Sequence, residues 1–260
     1  MMKQSQMQQY AHRNSRSARI QLLCLWSLPL AMLMIFGGVA LAGMLPPPSP
    51  DSSATEIQRF FLENTNSIRV GIIIAMFGTS LSGLFVAVIT TQMRRIEGQE
   101  SPLAYTQLLA GLISNMLGVI PFAFLLVAAF RADRSAELVL LLYDASWLMN
   151  LGVISPTILQ IVLVGVCAFM DDEEVIFPRW YAWFSIWASF LLLADVLVYF
   201  FKTGPFAFNG AICFWFELAL YSLWLIVTMV LLRRAILKNL IQRESNDEDK
   251  LVYPTVEATL

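Results

Sequence analysis

Residues 180–201 read WYAWFSIWASFLLLADVLVYFF, and residues 211–232 read AICFWFELALYSLWLIVTMVLL. Each run is long enough to cross a hydrocarbon core of about 30 Å as a helix. Each also carries one carboxylate, Asp195 in the first and Glu217 in the second. An acid in hydrocarbon is costly and needs a partner, a proton or a task. The pair therefore marks both the fold class and the most unusual chemistry of the chain.

Four more apolar runs precede these two, at 21–43, 70–90, 105–130 and 137–170. The chain is 58% hydrophobic and 14% charged, against about 45–50% and 25% in soluble domains. The expected fold is all-α: one bundle of six transmembrane helices over 21–233, with tails at 1–20 and 234–260. The run 137–170 holds 34 residues, too long for one upright span, and Pro156 interrupts it. One tilted, bent span is expected there. In the third run, Pro121 leaves the carbonyl of Leu117 without its usual helical donor. The first run ends in Ala40-Leu41-Ala42, which has the look of a signal cleavage site. Its apolar stretch exceeds the about 7–15 residues of a signal peptide, so a retained span is expected.

With the N-terminus inside, cytoplasmic segments hold 12 Lys and Arg and external segments hold 5. The positive-inside rule then places both termini in the cytoplasm, with an even number of spans. Trp180, Tyr181 and Trp183 are expected to form part of an aromatic belt at the membrane edge. Residues 44–69, opening with three prolines, are read as a loop. Ile57, Phe60, Phe61 and Ile68 give it a short amphipathic helix on the membrane surface, or a lid over a cavity. In the second span Gly71, Ala75, Thr79, Gly83 and Ala87 fall every fourth residue. Such a face admits close helix packing, inside the chain or as a homodimer seam.

Net charge is −2, which gives no basic surface for nucleic acid. Cys24, Cys167 and Cys213 are scattered through apolar runs and read as packing residues. The one histidine, His12, lies in the N-terminal tail, and Lys3, Lys202, Lys238 and Lys250 lie outside the spans or at their edges. Haem, zinc and retinal sites lack their ligands, and no cofactor or metal is expected. P-loop, nucleophile-elbow and dinucleotide motifs are missing. An intramembrane aspartyl protease needs Gly-x-Gly-Asp at its second aspartate; here the stretch is Leu193-Ala194-Asp195. No catalytic residues are assigned.

Asp195 lies six residues before Phe201 and Glu217 six after Ala211. As α-helix each sits about 9 Å below the same membrane edge, and on adjacent antiparallel spans they can face each other. Two close carboxylates in low dielectric cannot both ionise cheaply. Tyr199 and Tyr221 each follow an acid by four residues, where a phenol can donate to a carboxylate. Asp144 is a third candidate for this layer. Arg69, Arg131, Arg134 and Lys202 lie at the outer ends and are alternative partners.

The stretches Phe177-Pro178-Arg179-Trp180 and Phe201-Lys202-Thr203-Gly204-Pro205-Phe206-Ala207-Phe208-Asn209-Gly210 resemble small multi-span bacterial membrane proteins. The likeness covers about the last third of the chain. It implies a bacterial inner membrane and brings no activity. The leading expectation is binding or transport of a small molecule, cation or proton through Asp195 and Glu217, with Asp144, Tyr199 and Tyr221 beside them. The alternative is a non-catalytic accessory or assembly subunit of a larger membrane complex.

Overall fold

The computed structural model describes residues 16–252, with side chains described as far as Ile241. The tail segments 1–15, with Lys3, His12 and Arg13, and 253–260 lie outside the described residues. Among the described residues every regular element is a helix. Six are long and apolar enough to cross a membrane: Arg16–Leu41, Thr65–Glu97, Pro102–Phe130, Ala136–Phe169, Arg179–Tyr199 and Ala211–Ile241. The chain is a multi-pass membrane protein. Several helices outrun the apolar runs that announced them. The second continues through polar residues at both ends, and the sixth continues past Leu232 to Val252. Residues 234–252, expected as a tail, continue that helix.

The first two spans pack at the closest approach in the bundle. A Cβ on Gly38 would lie 2.3 Å from the carbonyl oxygen of Gly71, and one on Gly71 would lie 2.3 Å from that of Gly38. Ala42 and Ala75 flank this contact. Only small residues let two backbones meet so closely. Farther along the second span, Thr79 packs under Gly118 and Asn115 lies over Gly83, both from the third span. Neighbouring helices of the same chain thus occupy most of the small-residue face, while Ala87 is exposed.

The end of the bundle bearing residues 42–64, 131–135 and 201–210 is termed distal. The surface helix Ala54–Glu63 caps this end. Ser53 accepts from the Glu56 backbone N–H, while Glu56 accepts from that of Ser53, a reciprocal capping box. These bonds, Ser53 first, hold the exposed Glu56 carboxyl below the usual glutamate range. The helix buries Ile57 and Phe61, and Gln58 Nε2 donates to the carbonyls of Ala132 and Arg134. Arg69 donates to the carbonyls of Ala129 and Phe130 at the end of the third span. Arg131 lies over the Phe130 ring. These two outer arginines therefore serve helix ends and a ring, and neither reaches an acid.

The third span stays helical through Pro121. Asn150, on the fourth span, donates its Nδ2 to Leu117 O at 3.1 Å, replacing the donor that Pro121 removes. The fourth span is broken. It runs as Ala136–Gly152, leaves the helix at Val153 and Ile154, and resumes as Ser155–Phe169 with Pro156 in its first turn. A proline costs least there, because first-turn N–H groups have no helical acceptor.

The fifth and sixth spans form a hairpin. Gly204 takes φ +80 in the turn, and Ile212 N–H donates to Pro205 O at 2.9 Å to close it. Trp180 and Trp183 are exposed, as a belt requires, but Tyr181 is fully buried. One residue along a helix turns about 100°, which carries Tyr181 to the opposite, inward face.

Candidate functional site

The hairpin departs from α-geometry where its carboxylates sit. The fifth span is α-helical over Arg179–Leu192 and becomes 3₁₀ over Leu193–Tyr199. The sixth opens with a π-helical turn over Ala211–Phe216, and its α-helix begins at Glu217. Asp195 lies inside the 3₁₀ segment and is 1% exposed. Its Oδ2 has no hydrogen-bond partner among the described residues. Glu217 lies close enough to feel its charge. Cys213 lies between them, with its Sγ donating to Ala194 O at 3.3 Å across the hairpin.

The 3₁₀ turn overturns one expected contact. At about three residues per turn, positions i and i+3 eclipse and i+4 moves away, so Tyr199 does not return to Asp195. Its hydroxyl donates to Leu148 O at 3.1 Å, and its ring lies over Gly152, where any Cβ would meet it at 2.4 Å. Tyr199 therefore braces the break in the fourth span. Tyr221 makes no bond to Glu217 either. It stacks on Trp224 with centroids 6.2 Å apart and an interplanar angle of 7°, which directs its hydroxyl by ring packing. Asp144 is half-buried, and its charged neighbour is Lys202. It belongs to the distal rim and not to the Asp195–Glu217 pair.

Glu217 opens onto a cavity of about 220 Å³ lined by the first, second, third, fourth and sixth spans. Protein surrounds the residue, and it keeps accessible surface because it lines this space. Asp195 lies behind the wall. The break in the fourth span is also at the wall, through Asn150, Val153 and Ile154. Irregular backbone at membrane depth is tolerated where it lines a cavity.

Much of the polar wall is already paired. Ser82 donates to Asn115 Oδ1 at 2.9 Å, and Thr157 donates to Ser114 Oγ at 3.1 Å. Other wall residues stand apart: the buried Trp147 Nε1 has no hydrogen-bond partner among the described residues. Gln160 is 2% exposed, and neither its amide nor the Glu217 carboxylate hydrogen-bonds to a described residue. Each buried polar group without a partner costs about 1–3 kcal/mol. Ion pairing does not relieve the acids: among the described residues the one ion pair within 4.0 Å is Arg59–Glu63, on the exposed surface helix.

On the distal side the cavity is roofed by an aromatic ladder. Phe61 meets Tyr143 edge to face at 6.2 Å, Tyr143 meets Phe208 at 5.9 Å, and Phe208 stacks on Trp147 at 6.2 Å. Trp147 meets Phe214 at 6.2 Å, and both line the cavity. Tyr143 donates its hydroxyl to Pro48 O at 2.6 Å, tying the prolines to the roof. Phe208 comes from the 202–210 turn, so that turn does more than reverse the chain. Asn150, Gln160 and Trp147 were not among the candidates read from the sequence. Polar residues within the over-long fourth run were the available signal for the first two.

Among the described residues no cluster of His, Cys, Asp or Glu suits a metal ion. No family model matches the chain, and neither a curated protein nor a solved structure does.

Proposed function

We propose that the protein binds a small molecule in the cavity beside Glu217, as a membrane-embedded receptor or carrier. One observation carries this reading: a cavity whose wall holds an ionisable group and a buried amide, Glu217 and Gln160, without hydrogen-bond partners among the described residues. A helix broken at its middle beside the cavity adds support, since discontinuous spans are a recurring way to build midplane sites in carriers. The resemblance in the last third of the chain supports a bacterial inner membrane. The charge count supports cytoplasmic termini, which puts the ladder of Phe61, Tyr143 and Phe208 on the outer side as the roof of the site.

Thermal melting of the purified protein in mild detergent tests the reading. A panel of small amphiphiles should contain members that raise the melting temperature of the native chain. Ser222→Phe, which fills the cavity from the sixth span, should cancel that rise. Asp195→Asn and Glu217→Gln should each change the pH profile of melting. If no amphiphile acts and neither acid substitution alters the profile, the reading fails. Stoichiometric co-purification of another membrane protein would then favour the accessory role.

A further inference from the structure

We infer that the occupant of the cavity is a small organic cation, a protonated amine on an apolar body, with Glu217 as its counter-ion. The inference rests on the reading of the cavity as a ligand site and adds the chemical class. Among the described residues the wall contains no lysine, arginine or histidine, and its only carboxylate is Glu217. Asp195 places a second acid behind the first. An anion entering here meets carboxyl groups and no positive group, and a neutral ligand draws nothing from an ionised Glu217. A cation supplies what both acids lack.

The shape of the wall decides which cation. A bare metal ion needs a shell of six or so oxygens, and this wall is mostly apolar. It presents the rings of Phe36, Phe85, Phe122, Phe214 and Trp147. Aromatic faces attract a cation and also pack an apolar body. An ammonium group brings several N–H donors. Glu217 accepts one, and the side-chain carbonyl of Gln160 is free to accept another. Asn150 spends its amide nitrogen on Leu117 O, which leaves its Oδ1 as a further acceptor. Glu217, Gln160 Oε1 and Asn150 Oδ1 thus offer acceptors to a ligand rich in donors.

The test uses the full chain in lipid nanodiscs and calorimetric titration with three compounds of one shape: 2-phenylethylamine, 2-phenylethanol and phenylacetate. At neutral pH these are cationic, neutral and anionic. The amine should bind about tenfold or more tightly than the alcohol, with phenylacetate weakest. Glu217→Gln should erase the preference for the amine and leave binding of the alcohol in place. If the alcohol equals or exceeds the amine, or phenylacetate binds best, the cation class falls while the cavity stands as a ligand site. If the amine keeps its advantage in Glu217→Gln, the counter-ion role falls. If none of the three binds, both the class and the ligand-site reading fall. The ranking in the native chain decides between these even where the substituted protein does not fold.

Discussion

The two halves of the hairpin made by the fifth and sixth spans differ sharply in how they treat polar groups. In the half away from the turn, both helices are regular and each polar side chain between them is matched. Trp224 Nε1 donates to Ser185 Oγ at 3.1 Å. Thr228 donates to Trp224 O at 2.6 Å, so Tyr181 is the donor in its 2.6 Å bond to Thr228. In the half near the turn, one helix tightens to 3₁₀ and the other widens to π. There Asp195 Oδ2 and the Glu217 carboxylate remain unmatched. A bundle that satisfies buried polar groups so closely in one half is able to do so in the other. The contrast teaches that the unmatched acids belong to a site, since the buried polar groups in the other half of the same hairpin are satisfied.

The largest expected effect is on the matched half. Trp224 is fully buried, and Trp224→Ala should cost about 3–5 kcal/mol, seen as loss of monodisperse protein or a steep fall in melting temperature. Thr228→Val should cost about 1–3 kcal/mol by leaving the Tyr181 hydroxyl unmatched, again read by melting. Asn150→Leu should fall in the same range by orphaning Leu117 O, and it extends the comparison to the third and fourth spans. Asp195→Asn in the unmatched half should not lower the melting temperature of the ligand-free protein. If it destabilises as much as Thr228→Val, Asp195 is a structural group and the contrast between the halves disappears.

The smallest effect lies on the surface helix and depends on pH. Glu56 has its folded-state value depressed, chiefly by Ser53. Its contribution is therefore present above the ordinary glutamate range and is lost as pH falls through the depressed value. Amide exchange in Ala54–Glu63 should quicken on acidification in the native chain. Glu56→Gln should exchange faster at neutral pH and lose that response. A native helix equally protected on both sides of the window would show that the capping box contributes nothing.

Much of the bundle was legible in the chain. Six apolar runs announced six spans, the two acids announced their own hairpin, and Pro121 announced the orphaned carbonyl of Leu117. Span ends were less legible, because polar residues such as those at 65–69 continue a helix once its apolar part is in place. The Tyr199 contact failed for a specific reason. Spacing of four means proximity only in an α-helix, and the turn from Asp195 to Tyr199 is not one. Asn150 was invisible as the partner of Leu117 because a freed carbonyl does not name its donor on another helix.

The sequence by itself determined that this chain crosses a membrane six times and buries two acids in its last hairpin, because hydrophobic transfer free energy depends on composition and length and not on neighbours. Only the tertiary structure decided that the two acids lie near each other, that one opens on a cavity and that tyrosines serve other partners. Those outcomes depend on local helix pitch and on where five helices fail to fill the space between them. Both are settled by packing among residues far apart in the chain.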